Sequence, residues 1–142
     1  MTTRTPDRVP TLLAAAGLAL ALLGAPGCSA KYPHEEIALD GAVAKKIVAL
    51  VDALRKAGAD EAAFKAVVRD QLASGLAPDM AAGLETALAD LAKGNEVKLI
   101  QLDRFGKVLS AGFRVTGPDA SGLKECFFLL TDESSPRWIK SH

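Results

Sequence analysis

The spacing of apolar residues changes at Asn95, and this change constrains the fold more than any other feature of the 142-residue sequence. Before Asn95, apolar side chains recur every three or four residues, which is the spacing of one face of an α-helix. After Asn95, apolar and polar side chains alternate, which is typical of a half-buried β-strand. Helices followed by strands indicate an α+β fold in which the helices pack on one face of an antiparallel sheet.

Three amphipathic helices are predicted before this change, because each apolar stripe lies between a capping residue or proline and a glycine. The loops between them contain only a few residues, so neighbouring helices have to pack closely. The helices are predicted to begin at Asp40, Asp60 and Pro78 and to end at Gly58, Gly75 and Gly94.

Three or four strands are predicted after the change, joined as an antiparallel meander. The clearest is Val108–Thr116, in which Leu109, Ala111, Phe113 and Val115 share one face. The other predicted strands are Glu96–Leu102, Leu123–Thr131 and a short edge strand within Arg137–Ser141. This order of elements is similar to that of small exported cystatin-like or nuclear transport factor 2-like domains, a likeness that implies a fold and no function.

An uncharged Leu- and Ala-rich segment, Leu12–Ala25, lies near the amino terminus and follows Arg4 and Arg8. Its length of about 14 residues suits the apolar region of a secretory signal peptide. A membrane-spanning helix needs about 20 apolar residues, so an uncleaved anchor is the weaker interpretation. Residues 1–27 are therefore predicted to be a signal peptide that is removed.

The residues that follow, Ala25-Pro26-Gly27-Cys28, resemble the lipobox of bacterial lipoproteins, although Ala25 and Pro26 depart from its usual form. The resemblance covers residues 1–28 and implies that Cys28 receives a diacylglycerol thioether and becomes the acylated amino terminus. The protein would then be held on a membrane of the cell envelope, because two or three acyl chains anchor a protein stably where one does not.

Ser29 follows Cys28 at a position where aspartate would resemble the signal for retention in the inner membrane. The resemblance therefore implies the outer membrane, with the protein facing the periplasm. The alternative is ordinary secretion as a soluble or periplasmic protein, with Cys28 left as an unmodified thiol.

Residues 28–36 are predicted to be the anchor cysteine and a polar tether, and residues 37–142 a single α+β domain. Of 17 basic and 17 acidic residues in the whole chain, 15 and 16 remain after residues 1–27 are removed. The charges are interspersed, so the basic patch typical of nucleic-acid-binding proteins is missing. Nucleic acid is therefore not expected as a partner.

The sequence offers little for catalysis or metal binding, and no enzyme activity, cofactor or metal site is predicted. His34-Glu35-Glu36 is the one local cluster of metal-ligand types, and the other histidine, His142, is the last residue. No Gly-x-Ser-x-Gly motif or glycine-rich phosphate loop is present. Cys126 lies in an apolar segment and is expected to be a buried thiol, with an intermolecular disulfide as the alternative.

Four aromatic residues are the remaining candidates for a binding site: Phe113, Phe127, Phe128 and Trp138. They either line an apolar groove between sheet and helices or close the core of a small domain. The expected function is that of a lipid-anchored, non-catalytic envelope protein with a binding or structural role. The alternatives are a small carrier of an apolar ligand and an enzyme of unidentified class.

Overall fold

The computed structural model describes residues 34–117 and 122–141, which fold into three helices and a five-stranded sheet. The elements follow the order β1 (His34–Glu36), α1 (Ala42–Ala57), α2 (Glu61–Gln71), α3 (Pro78–Ala92), β2 (Glu96–Phe105), β3 (Val108–Thr116), β4 (Lys124–Thr131) and β5 (Trp138–Ser141). The α+β class is confirmed. The prediction of three or four strands is wrong, because the sheet has five.

The strand missing from the prediction is β1, which lies in residues assigned to the end of the polar tether. All three of its side chains are exposed, so no alternation of apolar and polar residues marks it as a strand. Just after it, the Ile37 N–H donates a hydrogen bond of 2.9 Å to the Leu102 carbonyl oxygen. Backbone pairing at a sheet edge therefore orders a segment that has no apolar face of its own.

The sheet has the strand order β1-β2-β3-β4-β5, and β2 to β5 pair as the predicted antiparallel meander. The turn between β2 and β3 is closed by the pair Phe105 and Val108. Gly106 has a φ of 61°, a left-handed conformation that glycine adopts without steric cost. A two-residue turn of this kind suits the twist of the strands that it joins.

Strand β2 contains an irregularity between Leu99 and Gln101, where the pairing with β3 shifts by one residue. A bulge of this kind changes which side chains face the core. Leu99 and Leu102 are both buried although they are three positions apart, an odd spacing that would place them on opposite faces of a regular strand. The bulge explains why the sequence of β2 does not alternate as that of β3 does.

The core lies between the helices and one face of the sheet. Its largest fully buried side chains come from every helix except α2 and from β3, β4 and β5: Ile47, Leu54, Leu84, Leu88, Leu91, Leu109, Phe113, Phe128, Leu130 and Trp138. Phe64 and Val68 of α2 complete it and are 8% and 2% exposed. Three amphipathic helices thus cover one sheet face, which is the arrangement that the sequence predicts.

The ends of the helices agree with the sequence in part. Asp60 caps α2 as predicted, since its Oδ1 accepts hydrogen bonds from the Ala62 and Ala63 N–H groups at 3.0 and 3.2 Å. Asp40 does not cap α1, which begins after Gly41 without a side-chain cap. Helix α2 ends at Gln71 rather than Gly75, because Leu72 is extended and the Ala73 N–H donates to the Trp138 carbonyl oxygen at 2.9 Å.

The two aspartates provide a matched test of capping. We expect Asp60→Ala to lower the free energy of unfolding by about 1 kcal/mol, because two N–H groups of α2 lose their acceptor. Asp40→Ala is expected to change it by less than about 0.5 kcal/mol, because Asp40 caps nothing. Urea denaturation of the two variants beside the parent protein measures both values, and equal losses would contradict the assignment of the caps.

Candidate functional site

Three of the four aromatic residues proposed for an apolar groove lie inside the closed core. Phe113, Phe128 and Trp138 are at most 1% exposed. Their ring centroids lie 5.2 to 6.3 Å apart in edge-on or tilted arrangements, which are favourable for aromatic pairs. The rings contact one another, and a ligand could reach them only by displacing core side chains.

The fourth aromatic residue, Phe127, lies on the opposite face of the sheet. It pairs with Gly112 of β3, and a Cβ atom on Gly112 would come within 2.5 Å of its ring. The absence of a side chain at Gly112 therefore lets the Phe127 ring come close to the backbone of β3. Phe127 and Phe128 are successive residues of β4 and therefore point to opposite faces of the sheet, so only one of them lies on the core side.

A buried chain of hydrogen bonds holds the aromatic cluster to the helices, and the sequence analysis did not identify it. The Trp138 Nε1–H donates to Gln71 Oε1 at 2.8 Å, and Gln71 Nε2 donates to the Leu50 carbonyl oxygen at 3.0 Å. Gln71 is 8% exposed. Its spacing from Phe64 and Val68 places it on the apolar face of α2, and a polar residue at such a position indicates a buried partner.

An ion-pair cluster ties β1 and the loop after β4 to strand β2. Arg104 donates from Nε to Asp132 Oδ2 at 2.6 Å and from a terminal nitrogen to Glu35 Oε1 at 2.8 Å. These two hydrogen bonds raise the pKa of Arg104 above its ordinary value. Because Glu35 is committed to this pair, the His34-Glu35-Glu36 segment serves the architecture of the sheet edge.

A surface concavity lies at the carboxyl end of α1, beside α2 and α3, with a volume of about 660 Å³. Phe64 contributes to its lining, and charged side chains of both signs surround it: Arg55, Glu61, Lys65, Glu85, Asp90 and Lys93. Arg55 is committed to the chain after α3, donating to the Gly94 and Asn95 carbonyl oxygens at 2.8 and 3.0 Å. This balance of charge selects neither an anionic nor a cationic ligand.

The described residues contain no group of three or more His, Cys, Asp or Glu side chains that could hold a metal ion. Cys126 is half-buried on β4, and desolvation raises the pKa of its thiol, which lowers the fraction of reactive thiolate at neutral pH. No helix within residues 34–117 and 122–141 has the length and hydropathy to span a membrane. Cys28 and His142 lie outside the described residues.

Comparison with known proteins identifies no relative of this chain. No family model matches it, and neither a curated protein nor a solved structure is significantly similar.

Proposed function

We propose that this protein is an exported, lipid-anchored component of the bacterial cell envelope that acts by binding or structural interaction, without catalysis. The observation that carries the proposal is the placement of Cys28 directly after Gly27 at the end of the apolar segment Leu12–Ala25. Acyl chains on Cys28 would be its membrane partner. Ser29 favours the outer membrane, facing the periplasm, as the destination.

The short distance along the chain between Cys28 and the first strand supports an anchored domain. Only residues 29–33 separate the cysteine from β1, which begins at His34. The ion pair of Glu35 with Arg104 and the hydrogen bond from Ile37 to Leu102 fix the start of the domain to the sheet edge. Acylation at Cys28 would therefore hold the domain close to the bilayer.

The non-catalytic role is supported by the use of polar side chains in the described residues. Gln71 serves Trp138 in the core, and Arg104 links β1 to the loop after β4. Arg137 donates to the Asp70 and Leu72 carbonyl oxygens at the end of α2. We propose neither the carrier nor the enzyme, because Phe113, Phe128 and Trp138 are closed off in the core and these polar groups stabilise the fold.

Mass spectrometry of the amino-terminal peptide and fractionation of cells test the proposal. The parent protein is expected to begin at an acylated Cys28 and to sediment with membranes. Cys28→Ser is expected to lose both properties, since the anchor needs the thiol, whereas Cys126→Ser, which removes the other cysteine, is expected to keep them. An unmodified terminus at another residue, with the protein in the soluble fraction, would overturn the proposal.

A further inference from the structure

The direction of β1 determines at which end of the sheet the first strand begins. Glu35 pairs with Arg104, and Ile37 pairs with Leu102, so β1 runs antiparallel to β2. The amino end of β1 therefore lies towards Phe105 and the turn between β2 and β3. We call this end of the sheet, defined by Phe105–Val108, the tip end.

The opposite end of the sheet is defined by Thr116 and Leu123, and we call it the far end. Strand β3 runs from Val108 at the tip end to Thr116 at the far end. Its nine residues span about 27 Å at about 3.4 Å for each step. The loop after β4 belongs to the tip end, because the Asp132 N–H donates to the Lys107 carbonyl oxygen at 3.1 Å.

The length of the tether restricts how an anchored domain can stand on a bilayer. Cys28 and His34 are six residues apart, so they can be separated by about 20 Å when the chain is fully extended. If the far end rested on the bilayer, His34 would lie about 27 Å above it, which is more than the tether can span. A domain anchored at Cys28 therefore cannot stand upright on its far end.

Two side chains at the turn between β2 and β3 suit a bilayer surface, whereas Glu133 in the loop after β4 is an exposed acidic residue at the same end. Phe105 is 40% exposed although its ring is large and apolar, and Lys107 in the adjacent turn is exposed. Apolar rings enter the boundary between headgroups and acyl chains, while lysine keeps its ammonium group among the phosphates. The Phe105 ring suits the boundary between headgroups and acyl chains, and the Lys107 ammonium group suits the layer of phosphates.

We propose that the lipidated protein stands on its tip end, with Phe105 inserted at the bilayer surface and Lys107 among the lipid phosphates. This inference rests on the proposed acylation of Cys28. The turn between β2 and β3 is then a second membrane contact, which fixes the orientation of the domain. The far end and the groove beside α2 and α3 remain available to partners in the periplasm.

Quenching of tryptophan fluorescence by brominated lipids tests the orientation. The full-length protein is processed in cells, purified and reconstituted into phosphatidylcholine vesicles, with or without bromine on the acyl chains near the headgroup. We expect Phe105→Trp to lose about half of its added emission in the brominated vesicles. Leu123→Trp is the control, because Leu123 is 57% exposed at the far end, and it is expected to lose none.

Lys107→Trp is a second probe at the tip end. Brominated lipids are expected to quench its added fluorescence to the same extent as that of Phe105→Trp. The emission of the parent protein, which comes from the buried Trp138, is subtracted from that of each variant. Equal quenching at Phe105 and Leu123, or none at either tip position, would overturn the inference.

Flotation of the vesicles and the mass of the amino-terminal peptide separate this inference from the proposed function. If Cys28 is unmodified and the protein does not float with the vesicles, both proposals are wrong. If the acylated protein floats and its tip-end tryptophans are not quenched, the anchor stands and the orientation is wrong. A tip end that instead contacts a protein partner would give this second result, since the vesicles contain no other protein.

Discussion

Trp138→Ala is expected to remove a large part of the stability of the domain. The side chain is fully buried and contacts the rings of Phe113 and Phe128. Truncating a buried tryptophan to alanine costs about 3–5 kcal/mol, and the lost indole N–H also leaves Gln71 Oε1 without its donor. Because small domains are stable by about 5–15 kcal/mol, we expect a large fall in the midpoint of urea or thermal unfolding.

Trp138→Phe separates the two contributions. Phenylalanine keeps an aromatic ring in the cluster and removes the donor to Gln71, so we expect a loss of about 1–3 kcal/mol. Both variants are measured by circular dichroism during urea denaturation. An alanine variant that unfolds at the same midpoint as the parent protein would show that Trp138 is not at the centre of the core.

Gly94→Ala is expected to destabilise the protein by about 1–3 kcal/mol through overpacking. Gly94 is buried after α3, and a Cβ atom there would overlap Cγ1 of Val115. Val115 is 2% exposed and β-branched, so its side chain has little freedom to move aside. The segment itself is held by Arg55, which donates to the Gly94 carbonyl oxygen at 2.8 Å.

Gly83→Ala is the matched control, and it is expected to raise the free energy of unfolding where Gly94→Ala lowers it. Gly83 is exposed within α3, and a Cβ atom there meets nothing within 4 Å. Alanine favours the helix over glycine by about 1 kcal/mol, so this variant should be more stable than the parent protein. Urea denaturation of the two variants compares the signs directly. Destabilisation by both substitutions would contradict the packing described around Gly94 and Gly83.

The elements that the sequence predicts well are those whose own residues carry the pattern. Leu109, Ala111, Phe113 and Val115 alternate along β3 because one face of that strand lies on the core, and all four are buried. Asp60 caps α2 through hydrogen bonds from residues two and three positions further along the chain. In both cases the determining interactions are local or repeat with a fixed period.

The features that were missed depend on residues distant in sequence. Strand β1 has only polar side chains and is ordered by contacts with Leu102 and Arg104. The bulge in β2 is defined by its pairing with β3. The aromatic residues could be identified from the sequence, but whether their rings contact one another or a cavity depends on how β3, β4 and β5 assemble.

The bond between Gln71 and Trp138 joins residues that are 67 positions apart, and it affects when the domain can fold. All three helices are synthesised before Trp138. Until Trp138 is made, their apolar faces lack one of the largest side chains of the core. Contacts between such distant residues slow folding because a long loop has to close first. The buried hydrogen bond of Trp138 can therefore form only after β5, the last strand of the sheet, has been made.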